Sequence, residues 1–147
     1  MAIGNTTSSQ DRLESFGIYR LARQLFQDFW PDSEILGKDY RGRELVKQPV
    51  RSLDSICANI EEGFGRGFSK ELPQHLKIAR GEARESRGRY LRCHHLLSPE
   101  TISQRTAALD HIIGGLTNTI NTIESKQKRV ANTPVTRHPS PVTPASK

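Results

Sequence analysis

The sequence is short of several residue types, and each shortage excludes a class of protein. Hydrophobic residues make up 34% of the 147 residues, and no apolar run approaches the ~18 residues that a membrane-spanning helix needs. Only two cysteines are present, Cys57 and Cys93, without a CxxC pair, which favours buried thiols in a reducing compartment over a disulfide scaffold. The N-terminus has no basic segment followed by an apolar one, so we expect no secretory signal and a cytoplasmic location.

The sequence also lacks the arrangements that catalysis or a bound cofactor would need. The segment Gly63–Gly67 carries three alternating glycines but no Lys-Ser/Thr and no preceding strand, so a nucleotide-binding P-loop is not predicted. His94 and His95 are adjacent, and adjacent helical residues point about 100° apart, which makes a shared metal ion improbable. No catalytic triad, Cys-His pair or carboxylate pair stands out. We therefore expect a non-enzymatic protein without a metal ion or cofactor.

What the sequence does contain is a series of amphipathic helical periods and no strand pattern. Apolar residues spaced by three and four predict helices over residues 11–29, 43–64, 69–97 and 99–129, the last with Ser98 as N-cap. Pro31 is predicted to end the first helix at Trp30, leaving residues 31–42 as a connection. Pro49 is predicted to kink the second helix; the alternative is a helix that begins near Pro49. The expected fold is all-α, an antiparallel up-down-up-down four-helix bundle over residues 11–129, with residues 1–10 and 130–147 disordered.

The third helix has the clearest apolar pattern. Its seam residues follow one another by four and three: Leu72, Leu76, Ala79, Ala83, Ser86, Tyr90, Cys93 and Leu97. The small central members predict close approach of a neighbouring helix. Gly81 and Gly88, which weaken a helix, are predicted to mark further close contacts.

A polar motif closes the second helix and leads into the third. Gly63, Gly65 and Gly67 are predicted to end the helix and reverse the chain, with Ser69 as the next N-cap. Asn59 and Glu62 lie beside the apolar face. We interpret them as members of a structural polar network in which Glu62 pairs with an arginine of the third helix.

Basic residues concentrate in the same region. Residues 66–92 carry eight basic and three acidic side chains, and the whole chain has a net charge of +6. Lys77, Arg80, Arg84 and Arg87 form one helical stripe, and with Arg66 and Lys70 they are the candidate nucleic-acid-binding residues. Phosphate contacts would dominate such binding, since aromatic residues are only 6% of the chain and provide no base-stacking platform. The alternatives are a solvated face, in which Glu82 and Glu85 pair with arginines, and a stripe of intersubunit salt bridges.

These residues also carry a resemblance to a known family. The run Asn59–Arg66, with Gln48 and Arg51 upstream and Ile78–Glu82 downstream, resembles the four-helix-bundle proteins encoded in 23S ribosomal RNA intervening sequences. The resemblance covers about residues 13–127. Three residues depart from the family pattern. Pro49 stands where an apolar residue is usual, Cys57 stands where a proline is common, and Glu61 replaces a small residue.

The resemblance implies a homopentameric ring without enzymatic activity. A related small bundle protein is the accessory factor of diversity-generating retroelements, where a basic pentamer engages a reverse transcriptase and its RNA. Two hypotheses follow: an accessory protein that binds RNA or DNA, with a reverse transcriptase as a partner, or a scaffold oligomer that binds a protein without nucleic acid. The tail segment Pro141–Pro144 has the PxxP form that some protein modules recognise.

Overall fold

The computed structural model describes residues 9–67, 69–136 and 138–145, of which 80% are helical and none forms a strand. The predicted all-α class is therefore confirmed. The helices, in chain order, are α1 (Ser9–Ser15), α2 (Gly17–Gly37), α3 (Tyr40–Gly65), α4 (Leu72–Arg92) and α5 (Pro99–Ala131).

The four long helices pack as a bundle around one core. Helix α3 lies against α2 and α4, α5 lies against α4 and α2, and the short α1 rests on α2 and α3. Each fully buried leucine or isoleucine contributes roughly 1.5–3 kcal/mol relative to an exposed one. The largest fully buried side chains are Phe29, Leu25, Leu36, Leu53, Ile56, Ile60, Leu72, Leu76, Leu109, Ile112, Leu116 and Ile120.

Helix α2 continues through Pro31, so the predicted end at Trp30 and the predicted connection over 31–42 are wrong. A proline inside a helix removes one hydrogen bond and costs about 3 kcal/mol. Here Asp32 and Leu36, both beyond the proline, are only 2% and 1% exposed. Their burial requires the helical continuation, and tertiary packing overrides the local signal.

The true link between α2 and α3 is two residues long. Asp39 caps α3 by accepting a hydrogen bond from the backbone N–H of Arg41 at 2.8 Å. A Cβ on Gly42 would lie 2.0 Å from the carbonyl oxygen of Leu36, so this tight turn requires glycine. Helix α3 then runs unbroken through the buried Pro49, and the alternative of a helix that begins near Pro49 is wrong.

The first predicted helix is divided in two. Phe16 has extended backbone angles, with φ −76° and ψ 104°, and separates α1 from α2. The disorder predicted for residues 1–10 falls mainly on residues 1–8, which lie outside the described residues, and α1 begins at Ser9. Helix α5 includes Val130 and Ala131, so the disordered tail predicted from residue 130 begins two residues too early. After Ala131 the described residues have no regular secondary structure, and their disorder stays a prediction.

The apolar seam predicted for α4 is confirmed, because all eight of its residues are buried. The helix itself is shorter than predicted at both ends. Ser69 is not its N-cap: Glu71 occupies that position, and the Ser69 hydroxyl only accepts from the Glu71 N–H at 3.3 Å. A Cβ on Gly81 would meet nothing within 4 Å, and the three atoms nearest to a Cβ on Gly88 all belong to Arg92 of the same helix. The prediction that these glycines mark close contacts with a neighbouring helix is therefore wrong within the subunit.

Helix α5 begins as predicted, because the Ser98 hydroxyl accepts from the backbone N–H of Thr101 at 3.1 Å. Ile112 belongs to its fully buried face, whereas Ile113 and Ile123 are half-buried. Within the described part of the chain, no helix combines the length and apolar character needed to cross a membrane.

Candidate nucleic-acid interface on helix α4

The basic stripe of α4 lies along the side that faces α5, and three of its four members contact that helix. Lys77 Nζ lies 2.5 Å from Glu124 Oε1. Arg80 donates to the Thr117 hydroxyl at 3.3 Å. A third contact is made by Arg87, whose Nε and Nη2 donate to the Asp110 carboxylate at 2.7 and 3.4 Å. The sequence analysis considered pairing with Glu82 and Glu85 of the same helix, and Glu85 does pair with Arg89 at 3.5 Å. Pairing with α5 was not predicted, because it depends on how α4 and α5 are placed.

These contacts are surface interactions and leave the cations accessible. The side chains of Lys77 and Arg87 are 42% and 39% exposed. Exposed ion pairs contribute only about 0–1 kcal/mol, so an external anion can compete with the internal one. The hydrogen bond from Lys77 lowers the pKa of Glu124, and that carboxylate therefore stays charged at neutral pH.

Arg84 is the unpaired member of the stripe. Its side chain is exposed and makes no hydrogen bond or ion pair with any residue that the structure describes. Arg80, one turn before it, is half-buried, and its Nε is a buried donor without a described acceptor. Among the described residues, Arg84 is thus the stripe cation that can bind an anion without first breaking a contact.

Arg66 and Lys70 lie at one end of the bundle in different surroundings. Arg66 donates to Glu62 at 2.6 Å and to Glu71 at 2.7 Å, which joins the end of α3 to the segment before α4. Its hydrogen bonds to Glu71 and then Glu62 raise the pKa of Arg66. Lys70 is exposed and borders a mainly apolar groove of about 470 Å³, lined also by Ile123, Lys126, Gln127, Val130 and Ala131.

The polar motif of α3 is satisfied locally. Asn59 Nδ2 donates to the carbonyl and hydroxyl oxygens of Ser55 at 2.9 and 3.1 Å. Glu62 is exposed and pairs with Arg66, so the predicted pairing with an arginine of the next helix is wrong. This motif fixes the helix end and its following turn.

The three motif glycines have three different roles. A Cβ on Gly63 would lie 2.9 Å from Leu72 Cδ1 and 3.1 Å from His75 Cβ, so this residue permits close packing of α3 on α4. Gly67 alone has a positive φ, of 75°, which favours glycine. Gly65 is the last residue of α3 and a Cβ there would meet nothing within 4 Å.

A buried polar network that the sequence analysis missed joins α2, α4 and α5. Asp32 accepts from the Tyr90 hydroxyl at 2.7 Å and from Arg105 Nε and Nη2 at 2.8 and 3.2 Å. Burial, and then the hydrogen bond to Asp32, raise the pKa of Tyr90. The available signal was that Asp32 continues the apolar spacing of Phe29 and Leu36, but it is visible only if α2 passes Pro31.

The histidines and cysteines are the residues on which a metal site or thiol chemistry would depend. Among the described residues, no group of three His, Cys, Asp or Glu side chains is placed to hold a metal ion. His94 and His95 lie in the turn after α4, with ring centroids 3.9 Å apart. Burial raises the pKa of Cys57 to about 12 and also raises the pKa of Cys93, so both are protonated thiols at neutral pH.

One comparison with known proteins gives a match. The family model described as 23S rRNA-intervening sequence protein matches residues 14–118, which include α2, α3, α4 and the first 20 of the 33 residues of α5. No curated protein and no solved structure matches the chain. The matched residues contain the polar motif and the whole basic stripe.

Proposed function

This chain belongs to the 23S rRNA-intervening sequence protein family, and from that premise we propose that it is a non-enzymatic, homo-oligomeric accessory protein that binds RNA or DNA. The proposal depends on one observation: Arg84 is an exposed cation without a described partner, and it lies in the middle of an accessible basic stripe. The chain's net charge of +6 adds long-range attraction for a polyanion.

The proposed binding mode is contact with the phosphate backbone. Arg84 supplies the first contact, and Lys77 and Arg87 exchange their exposed carboxylate partners for phosphates. Arg80 hydrogen bonds within the subunit and holds the stripe against α5. Such binding is tolerant of base sequence and strongly dependent on salt.

The proposed assembly is a pentameric ring of antiparallel up-down-up-down bundles in the cytoplasm. Support for the antiparallel order comes from α4 and α5, because residues 77, 80 and 87 meet residues 124, 117 and 110. A ring repeats the basic stripe around one particle, so several weak phosphate contacts act together. We propose a reverse transcriptase of a diversity-generating retroelement as its partner, and a neighbouring gene for that enzyme, with template and variable repeats, would support the assignment.

A salt titration tests the binding proposal. Labelled single-stranded RNA and DNA are titrated with the wild type and with Arg84→Gln, between 50 and 200 mM salt. Wild-type affinity is expected to fall by about 10³ or more if six or more phosphates are contacted. In a plot of the logarithm of the binding constant against the logarithm of the salt concentration, Arg84→Gln is expected to reduce the slope by about one for each subunit that contacts the nucleic acid.

The matched control is Arg43→Gln, which removes the same charge from an exposed side chain near the start of α3, away from the stripe. Its salt slope is expected to equal that of the wild type. No wild-type binding at 50 mM salt would refute the proposed function. Equal slopes for all three proteins would show that any binding surface lies away from Arg84.

A second candidate function is a scaffold oligomer that binds a protein without nucleic acid. Two observations favour it: α5 already supplies partners for most of the stripe, and an apolar groove of about 470 Å³ lies open beside Val130. This candidate predicts no salt-dependent binding of either nucleic acid.

A further inference from the structure

The other side of α4, which faces α3, forms a polar groove of about 280 Å³ that the proposed binding mode does not use. Its lining residues are Gln48, Arg51, Ser52, Ser55, Glu82, Glu85 and Arg89. The floor is closed by a hydrogen bond between the buried hydroxyls of Ser86 and Ser52 at 2.9 Å. This hydrogen bond joins α3 to α4 beneath the groove.

Several polar groups of this groove are incompletely paired within the subunit. Arg89 Nε is buried without a described acceptor, and its Nη2 reaches Glu85 only at 3.5 Å. Arg51 and Gln48 are exposed and have no hydrogen-bond or ion-pair partner among the described residues. Burial, and then the charge of Glu85, raise the pKa of Glu82, while the charge of Arg89 and a hydrogen bond with Ser55 act in the opposite direction. The groove thus offers both cations and carboxylates to a partner.

The rim of the groove suits close approach of another helix. Ile78, Glu82, Glu85 and Arg89 follow one another by four, three and four, and therefore share one face of α4. Ile78 is 41% exposed. Gly81 lies beside this row, and the space where its Cβ would stand is open. A mid-helix glycine costs about 1 kcal/mol relative to alanine, and nothing within the described subunit requires it here.

Helix α2 presents a row with the same spacing on another face of the molecule. Arg23, Gln27, Trp30 and Glu34 also follow one another by four, three and four. Trp30, the only tryptophan, is 52% exposed, and the edge of Phe26 supports its ring at 5.9 Å. Gln27 and Glu34 have no described partner. Arg23 at one end of the row is paired with Glu14 at 3.1 Å, and Glu34 at the other end is an exposed carboxylate.

We propose that the α3–α4 groove of one copy receives the Arg23–Glu34 row of α2 from the next copy. Glu34 then lies toward Arg51 and Arg89, and Trp30 packs over the bare backbone at Gly81. The groove and the row are different surfaces of the subunit, so each contact is heterologous and joins successive copies head to tail. Such contacts build a closed ring when the rotation between neighbouring copies divides a full turn. This inference rests on the proposed homo-oligomer and identifies the surface that builds it.

A pair of glycine substitutions tests the contact. Gly81 and Gly114 are both exposed, both helical, and both have nothing within 4 Å of a Cβ position, so leucine at either position should leave the bundle folded. By light scattering, Gly81→Leu is expected to shift the particle to the 16.5 kDa monomer or to raise the dissociation concentration at least about tenfold. Gly114→Leu, on α5, is expected to assemble like the wild type.

A charge exchange provides a second, independent test. Glu34→Arg and Arg51→Glu should each weaken assembly, because each places like charges opposite one another. The double variant restores opposite charges and is expected to recover the wild-type particle. Circular dichroism on all three confirms folding. A double variant that stays dissociated while both single variants are folded would overturn the pairing of Glu34 with Arg51.

Trp30 reports on the contact directly. Its emission is expected at shorter wavelength in the assembled wild type and at longer wavelength in Gly81→Leu, because the indole returns to water. If wild type and Gly81→Leu assemble equally, the proposed surface is wrong while the oligomer stands. If the wild type itself is a 16.5 kDa particle at micromolar concentration, the homo-oligomer of the proposed function fails together with this inference.

Discussion

Two arginine–carboxylate pairs join helices in this molecule with nearly the same geometry and very different surroundings. Arg105 of α5 donates to Asp32 of α2 at 2.8 and 3.2 Å, and Arg87 of α4 donates to Asp110 of α5 at 2.7 and 3.4 Å. The side chains of the first pair are 16% and 3% exposed, whereas those of the second are 39% and 58% exposed. Burial therefore separates two pairs that hydrogen-bond lengths alone would rank as equal.

The difference in burial assigns the two pairs different functions. Removing one member of a buried pair leaves an uncompensated charge out of water, so the pair fixes which helices lie together. An exposed pair contributes little, because water and salt replace either partner. The buried network thus ties α2, α4 and α5 together, whereas the exposed pairs leave the basic side chains accessible, as the proposed polyanion binding requires.

The largest expected effect in this comparison comes from Arg105→Met. It removes the cation from Asp32 while keeping much of the side-chain volume, and should lower the free energy of unfolding by about 3–5 kcal/mol. Urea denaturation followed by circular dichroism measures the change. The control is Arg87→Met, where the expected loss is less than about 1 kcal/mol. Similar losses in the two variants would contradict the distinction drawn from burial.

A smaller effect is expected from Tyr90→Phe, which removes the third member of the buried network. Asp32 keeps its two bonds from Arg105, so the expected loss is that of one hydrogen bond to a charged acceptor, about 1.5–3 kcal/mol. The pKa of Tyr90 is raised from its ordinary value of 10.0, and the folded chain therefore retains this proton after the unfolded chain has lost it. The free energy of unfolding should therefore fall as the pH rises above 10. In Tyr90→Phe this fall should be smaller, because the variant has no phenol at this position to titrate. An unchanged alkaline profile would show that Tyr90 titrates normally.

Periodicity alone predicted most of the bundle, because helical spacing is a local property of the sequence. All eight seam residues of α4 are buried, and Ser98 caps α5 as expected. The errors arose where tertiary packing outweighs local rules. Pro31 was predicted to stop a helix, and it does not, since Asp32 and Leu36 are buried beyond it.

The contacts of the candidate site were less predictable than its position. The basic stripe can be read from α4, but its pairing with Glu124, Thr117 and Asp110 depends on the placement of α5. The buried network was equally hidden, because Asp32 is 58 residues from Tyr90 and 73 from Arg105. Such pairs follow from the packed fold, and no spacing rule within one helix can reveal them.

The smallest expected effect is that of replacing the exposed pair with neutral amides. Asp110→Asn keeps the side-chain size and Arg87→Gln shortens the side chain, and both remove the charge. Each should change the free energy of unfolding by less than about 1 kcal/mol, with less change at 1 M salt than at 50 mM. Their effects on RNA binding should have opposite signs. Arg87→Gln removes a cation and weakens binding, whereas Asp110→Asn releases Arg87 from its partner and strengthens binding at low salt. Parallel urea and RNA titrations of both variants measure the two properties. Weaker binding by Asp110→Asn would show that Asp110 holds Arg87 in its binding position, and the carboxylate would then be part of the site and not a competitor for it.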